Sequence, residues 1–333
     1  MKYTCKLSLI LLLLFTILVS AGCSETSNEI QSSGASQSAT LAPTPTTIPT
    51  PTTTPNKDIY ANAFQNYTSS AKIAAVYNTE NKVFYYENQD VETRIYPAST
   101  TKLFTAYVAL QIFSPDEIVI VGDELNFVAE DASVASLQEG NTLTVQKLIE
   151  GMMLPSGNDA AYTIACNAGR RIAKNKNLSS EIALEFFMQE MNQQALRLGL
   201  NGSHFTCPDG YHNEAHYTTI KDLMEIATLA LSNETIAHSV RIAEETVSLA
   251  PGVQVTWKNT NWLVRPDSPY YTPDAIGLKT GHTDAAGYVL LSAFPGRSSS
   301  SYIIILVAQC DNLESRFQYT KELYQVLKDI SEA

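Results

Sequence analysis

Strand-forming segments sit at both ends of this chain and helix-forming ones lie between them, and that order limits the folds open to it. Residues 72–77 read as a strand, Asn78-Thr79-Glu80-Asn81 as a turn, and 82–86 as the returning strand of a hairpin. From Ser114 to about Ser239 helical signals dominate, in segments 143–153, 159–171, 178–198 and 218–231. The last is capped by Thr218 or Thr219 and carries Leu223, Ile226, Ala227 and Ala230 on one face. After Val247 strand signals return at 254–257, 275–279, 287–294 and 302–308, and residues 312–330 close with a helix. This order implies an α+β chain: one sheet assembled from N- and C-terminal segments, and an all-helical lobe inserted over about 114–240. No internal repeat is present.

The segment ahead of this domain reads differently. Residues 1–22 carry Lys2 and Lys6, then an apolar run over 7–19, ending Val19-Ser20-Ala21-Gly22 before Cys23. The run is short for a membrane span of about 20 residues and reads as a secretory signal peptide. The small residues before Cys23 resemble a bacterial lipoprotein cleavage site, which implies a lipidated Cys23; plain secretion or an uncleaved anchor are the alternatives. Residues 24–56 hold Ser, Thr, Pro, Gln and Asn, with no aromatic, so 23–57 cannot bury enough to fold. It reads as a semi-extended tether reaching at most roughly 100 Å. The folded domain is then expected over 58–333. The formal charge of −12 comes with no basic block, which leaves nucleic acid no surface to bind. Cys166, Cys207 and Cys310 and the five His residues are scattered without ligand spacing, so no metal site and no cofactor are expected. The three cysteines are read as buried free thiols, one disulfide among them staying open.

The chemistry begins at Tyr96-Pro97-Ala98-Ser99-Thr100-Thr101-Lys102, followed by a mostly apolar run to Leu110. The run predicts a helix buried on most sides. Ser99 and Lys102, three apart, share its first face. An alcohol beside an amine at a helix N-terminus can act as a nucleophile, with the amine taking the proton and the free N–H groups favouring negative charge. Alone, Ser-x-x-Lys describes equally an N-cap serine and a surface lysine. Ser156-Gly157-Asn158, at a break between helices, and Lys279-Thr280-Gly281, at the end of a predicted strand, are alone just as bland.

Together and in this order, the three match the set found in penicillin-binding proteins and class A β-lactamases. The fuller wording resembles serine-type D-Ala-D-Ala carboxypeptidases, the low-molecular-mass penicillin-binding proteins. It is Pro97-Ala98-Ser99-Thr100-Thr101-Lys102, Leu154-Pro155-Ser156-Gly157-Asn158-Asp159-Ala160-Ala161 and Gly277-Leu278-Lys279-Thr280-Gly281-His282-Thr283. Ser203 to Gly210 and His216-Tyr217-Thr218-Thr219 agree further, though the family usually has Asn where Cys207 stands. The resemblance covers roughly 60–330. It implies a mostly antiparallel sheet of the β-lactamase/transpeptidase type and a penicillin-sensitive hydrolysis through a serine acyl-enzyme. It also implies that the chain, ending soon after its last helix, lacks the C-terminal β domain and anchor helix of many members.

In that reading Ser99 attacks the carbonyl of the penultimate D-Ala. Lys102 is the base and must be neutral, its pKa lowered by burial and by Lys279. Ser156 passes a proton to the leaving D-Ala nitrogen. The substrate-binding set is Asn158, Lys279, Thr280, Gly281, His282 and Thr283. Asn158 holds Lys102 and the substrate amide, Lys279, Thr280 and Thr283 meet the terminal carboxylate, and the N–H groups of Ser99 and His282 form the oxyanion hole. The His282 side chain is set aside as a base because Lys102 supplies one. The implied partners are peptidoglycan stem peptides, β-lactams as covalent inhibitors, and a membrane through the lipid on Cys23, on the outer face of the cytoplasmic membrane. The nearest rival, class A β-lactamase, requires a Glu-x-x-Leu-Asn segment that is absent between Asn158 and Lys279. Endopeptidase or transpeptidase activity, or a non-catalytic wall-binding or β-lactam-sensing role, are the further alternatives.

Overall fold

The computed structural model describes residues 57–64, 67 and 69–332. The signal peptide, Cys23 and the tether expected from the sequence lie outside the described residues. Along the chain come α1 (Lys57–Phe64), β1 (Ile73–Asn78), β2 (Val83–Glu87), β3 (Arg94–Ile95), α2 (Thr101–Ala109), β4 (Ile118–Ile120) and β5 (Thr142–Thr144). Next are α3 (Val145–Met153), α4 (Asn158–Ile172), α5 (Ser180–Arg197), β6 (Thr218–Thr219), α6 (Ile220–Ser232), α7 (Glu234–Ser239), β7 (Glu244–Ala250) and β8 (Val253–Lys258). The chain closes with β9 (Gly277–Thr283), β10 (Gly287–Pro295), β11 (Tyr302–Cys310) and α8 (Ser315–Glu332).

The central sheet is antiparallel, in the order β2-β1-β11-β10-β9. Its middle joins the two ends of the domain, with Ile73 opposite Ala308 and Asn78 opposite Ile303. Every residue of β1 is buried, because alternate side chains enter two different cores. Ala74 and Val76 pack with Leu290, Phe294, Ile305 and Val307 under Phe317, Leu323 and Leu327 of α8. Ile73, Ala75 and Tyr77 face the helical lobe together with Leu291, Ala293, Ile304 and Leu306. At the heart of that lobe, α2 is buried along nearly its whole length, as its lack of a polar face requires. The α+β architecture expected from the sequence is the one observed.

Three details differ. The lobe is not helical from its start. Residues 114–144 form the β4–β5 pair, a 3-10 helix at Asp123–Phe127 and an irregular loop. Pro115, Gly122 and Gly140 interrupt any helical period there. Residues 254–257 belong to a separate β7–β8 hairpin and not to the main sheet. And β9 does not stop at Lys279: Thr280, Gly281, His282 and Thr283 continue the ladder opposite Leu290, Val289, Tyr288 and Gly287. The third motif therefore lies inside an edge strand. Helix α6 is capped by Thr219, whose Oγ1 accepts from the Asp222 N–H at 3.1 Å. Thr218 instead pairs with Ile95. Cys166 and Cys310 are buried free thiols, and Cys207 is free but only half-buried.

Candidate active site

Ser99 sits in a 3-10 turn, Ala98–Thr100, that runs directly into α2. In so tight a turn residues three apart nearly eclipse, and the Lys102 ammonium donates to Ser99 Oγ at 2.8 Å. The same nitrogen donates to the Asp209 carbonyl, also at 2.8 Å. Lys102 is fully buried. Burial lowers its pKa to about 8, against the opposing pull of Asp209, Cys207 and Asp159.

Ser156 is held between α3 and α4 in the left-handed region, φ 65°, a conformation that costs a non-glycine residue about 1–3 kcal/mol. Next to it, Asn158 opens α4 and donates Nδ2 to Asp209 Oδ2 at 2.6 Å. The sequence reading has Asn158 holding Lys102 and the substrate amide, and no hydrogen bond from Asn158 to Lys102 is present among the described residues. Instead both side chains converge on Asp209, one on its carboxylate and one on its carbonyl. Asp159 turns the other way and accepts the N–H groups of Ala135 and Leu137 at 2.8 and 2.9 Å. That contact fixes the irregular loop, which brings Asp131 and Ser133 to the edge of the site.

Strand β9 closes the opposite side. A Cβ on Gly281 would lie 2.9 Å from Ala98 Cβ and 3.1 Å from Ser99 N. Only a glycine lets the strand approach the Ser99 turn this closely. Thr280 donates to Thr260 Oγ1 at 2.7 Å, and the Thr260 N–H reaches the Leu154 carbonyl at 2.9 Å, which ties the strand to the Ser156 segment. Thr283 Oγ1 accepts from the Ala286 N–H at 3.1 Å, so it also braces the turn into β10. His282 is exposed and stacks on Tyr288, ring centroids 4.1 Å apart.

Between these walls lies a cleft of about 800 Å³ lined by Ser99, Ser156, Asn158, Thr260, Thr280, Gly281, His282, Thr283 and Arg316. Lys279 is not part of its lining. It is fully buried and donates to the Thr280 carbonyl at 3.0 Å. Its pKa is lowered well below the ordinary lysine range, first by burial, then by the positive charges of Lys102 and Arg316. Burial is the first cause that lowers each of the two lysines, and their mutual repulsion adds to it. The cation that does line the cleft is Arg316 of α8. It donates Nη1 to the Gly281 carbonyl at 3.3 Å, while its buried Nε has no partner among the described residues. Burial brings its pKa to about 10.

Arg316, Thr260 and Asp209 were given no role from sequence. Arg316 had a readable signal: with Phe317, Thr320, Leu323 and Leu327 it shares the inward face of the closing helix, an unusual place for an arginine. Asp209 and Thr260 lie in loops and carry no periodic signal.

A serine hydroxyl hydrogen-bonded to a buried amine, beside an edge strand and a second serine, defines a serine peptidase of the acyl-enzyme type. A family model described as D-alanyl-D-alanine carboxypeptidase matches residues 59–308. The chain belongs to the D-alanyl-D-alanine carboxypeptidase family. It is 36% identical over 211 residues to a D-alanyl-D-alanine carboxypeptidase of Streptomyces sp. (strain K15), covering 61% of this chain and 69% of that one. It is 30% identical over 226 residues to DacA of Escherichia coli (strain K12), covering 65% and 50%, and so spans about half the length of that relative. Among solved structures, the Streptomyces K15 DD-transpeptidase matches with TM-score 0.68 at 31% identity, covering 78% of this chain and 97% of the other. The cefotaxime-bound form of penicillin-binding protein D2 from Listeria monocytogenes matches with TM-score 0.62 at 27% identity, covering 78% and 98%.

Proposed function

We propose that this protein removes the terminal D-Ala from peptidoglycan stem peptides through an acyl-enzyme on Ser99. The observation that carries the reading is the 2.8 Å contact between Ser99 Oγ and a fully buried Lys102. With a pKa of about 8, roughly a tenth of Lys102 is neutral at pH 7. That fraction takes the Ser99 proton as Oγ bonds to the carbonyl carbon of the penultimate D-Ala. The oxyanion is received by the backbone N–H groups of Ser99 and His282. The C–N bond then breaks, and Ser156 passes a proton to the departing D-Ala nitrogen. Water attacks the ester, regenerates Ser99 and frees the shortened peptide. Asn158 holds the substrate amide, and β9, as an edge strand of the sheet, offers its outer side to an extended peptide. Arg316, with Thr280 and Thr283, receives the terminal carboxylate, and Lys279 supports them from behind the strand.

A β-lactam acylates the same serine, and without a deacylating glutamate segment the adduct persists. The enzyme acts outside the cytoplasm, anchored by a lipid on Cys23 and spaced from the membrane by the Ser/Thr/Pro tether. Among the described residues no helix is long and apolar enough to cross a membrane. Replacing Cys23 with Ala should release the protein or leave its precursor uncleaved; unchanged retention with normal processing removes the anchor.

The activity is tested by mass spectrometry of a tripeptide ending in D-Ala-D-Ala. Loss of one Ala is expected, and Ser99→Ala should abolish both that loss and covalent labelling by penicillin. Labelling that survives in Ser99→Ala refutes the nucleophile. The DD-transpeptidase name of one solved relative favours a second outcome, a product joined to an added amine, which the same spectrum would show.

A further inference from the structure

Asp209 touches two of the three motifs at once. Its carbonyl accepts from Lys102 Nζ at 2.8 Å, and its carboxylate accepts from Asn158 Nδ2 at 2.6 Å and from the Tyr211 N–H at 3.1 Å. It is almost completely buried. The turn that delivers it is tightly specified. Gly210 has φ 83°, and a Cβ there would lie 1.9 Å from the Ala98 carbonyl oxygen. The Asp209 loop is thus packed directly against the turn that carries Ser99. A buried carboxylate is costly unless hydrogen bonds and opposite charge compensate it; here Asn158, the Tyr211 N–H and the nearby Lys102 do so.

We infer that Asp209 is a positioning residue of the acylation step: its carbonyl aims the Lys102 amine at Ser99, and its carboxylate fixes Asn158 and sets the field in which Lys102 accepts the serine proton. The inference rests on the proposed role of Lys102 as base. Lys102 faces Asp209 and Cys207 from this loop, Asp159 from α4, Lys279 from β9, and the buried His216. Among the charges that oppose its deprotonation Asp209 comes first, ahead of Asp159. The Asp209 charge therefore keeps Lys102 a stronger base, at the expense of the neutral fraction available at pH 7.

The test is the pH profile of kcat/KM for D-Ala release, whose acid limb reports the base in the free enzyme. Replacing Asp209 with Asn keeps an acceptor for Asn158 and removes the charge. The acid limb is expected to move to lower pH by about 1 unit, with a fall in the plateau. A merely structural role would lower the plateau and leave the limb in place, and that result overturns the inference. Asp209→Glu keeps the charge and should hold the wild-type limb while lowering kcat. If Asp209→Asn does not fold, a displaced limb in Asp209→Glu overturns the inference by itself. A wild-type enzyme that neither releases D-Ala nor reacts with penicillin brings down the functional reading, and this inference with it.

Discussion

Lys102 and Lys279 are the same residue type, both fully buried, on opposite sides of one serine. What surrounds them differs. The Ser99 turn sets Lys102 near Asp209 and Asp159. Strand β9 sets Lys279 near two cations, Lys102 and Arg316. Burial weakens the hold of both on a proton, and the local charges differ in sign: Asp209 and Asp159 hold Lys102 at about 8, while Lys102 and Arg316 add to the lowering of Lys279. Two amines in one dry site thus acquire separate tasks. In the proposed mechanism one shuttles a proton near neutral pH, while the other donates to the Thr280 carbonyl of its own strand.

The largest test of this division is Lys102→Ala. Losing the base should slow acylation by fluorescent penicillin about 10²–10⁴-fold; a smaller loss would show that Lys102 is not the proton acceptor. Next is Gly281→Ala, which pushes β9 off the nucleophile's turn. A misplacement on the order of 1 Å predicts about a 10²-fold loss in kcat/KM, and unchanged kinetics would show that the close approach is dispensable. Arg316→Met follows. It should raise KM for substrates with a free terminal carboxylate by about 10–100-fold, the worth of a charge-assisted hydrogen bond. It should leave the acid limb set by Lys102 in place, and a limb that moves would mean the two lysine environments are not separate.

The smallest effect concerns the support behind Lys102. His216 accepts the Thr206 N–H on Nδ1 at 3.1 Å and so directs its Nε2–H to Thr101 Oγ1 at 2.8 Å. Burial lowers its pKa from 6.5 to about 4. Between those values the unfolded chain binds more protons than the native one, so this contribution is complete above pH 6.5 and is lost as pH falls towards 4. Wild-type stability should drop by roughly 2 kcal/mol from this group between pH 7 and 5. Denaturant melts of His216→Gln should lack that share, and parallel pH profiles for the two proteins would remove His216 from the account.

Much of this was readable in the chain. The strand-helix-strand order anticipated a sheet made from both ends, because periodicity is local and the apolar runs at 73–77 and 302–308 are unambiguous. The three motifs came from residue type and spacing, and the fold gathers Ser99, Ser156 and Thr280 on one cleft. What could not be read depends on contacts between distant segments. Lys279 carries no mark of being sealed behind its strand. Asp209 looks like a turn residue until Asn158 and Lys102 arrive from two helices. Residues 114–144 carry too little local signal to stand apart from the helices around them, and the loop among them is held by distant groups: the Asp159 carboxylate on the Ala135 and Leu137 N–H groups, and Trp257 Nε1–H on the Ala135 carbonyl.

The pairing of β1 with β11 has a consequence for how such an enzyme comes into being. A chain interrupted anywhere between residue 283 and residue 302 would own every motif and no working groove, since the strand beside Ser99 is reached only through β10 and β11. Synthesis must run almost to the end of the domain before the serine acquires its neighbours. Vectorial emergence thereby delays reactivity, so unfinished copies are inert.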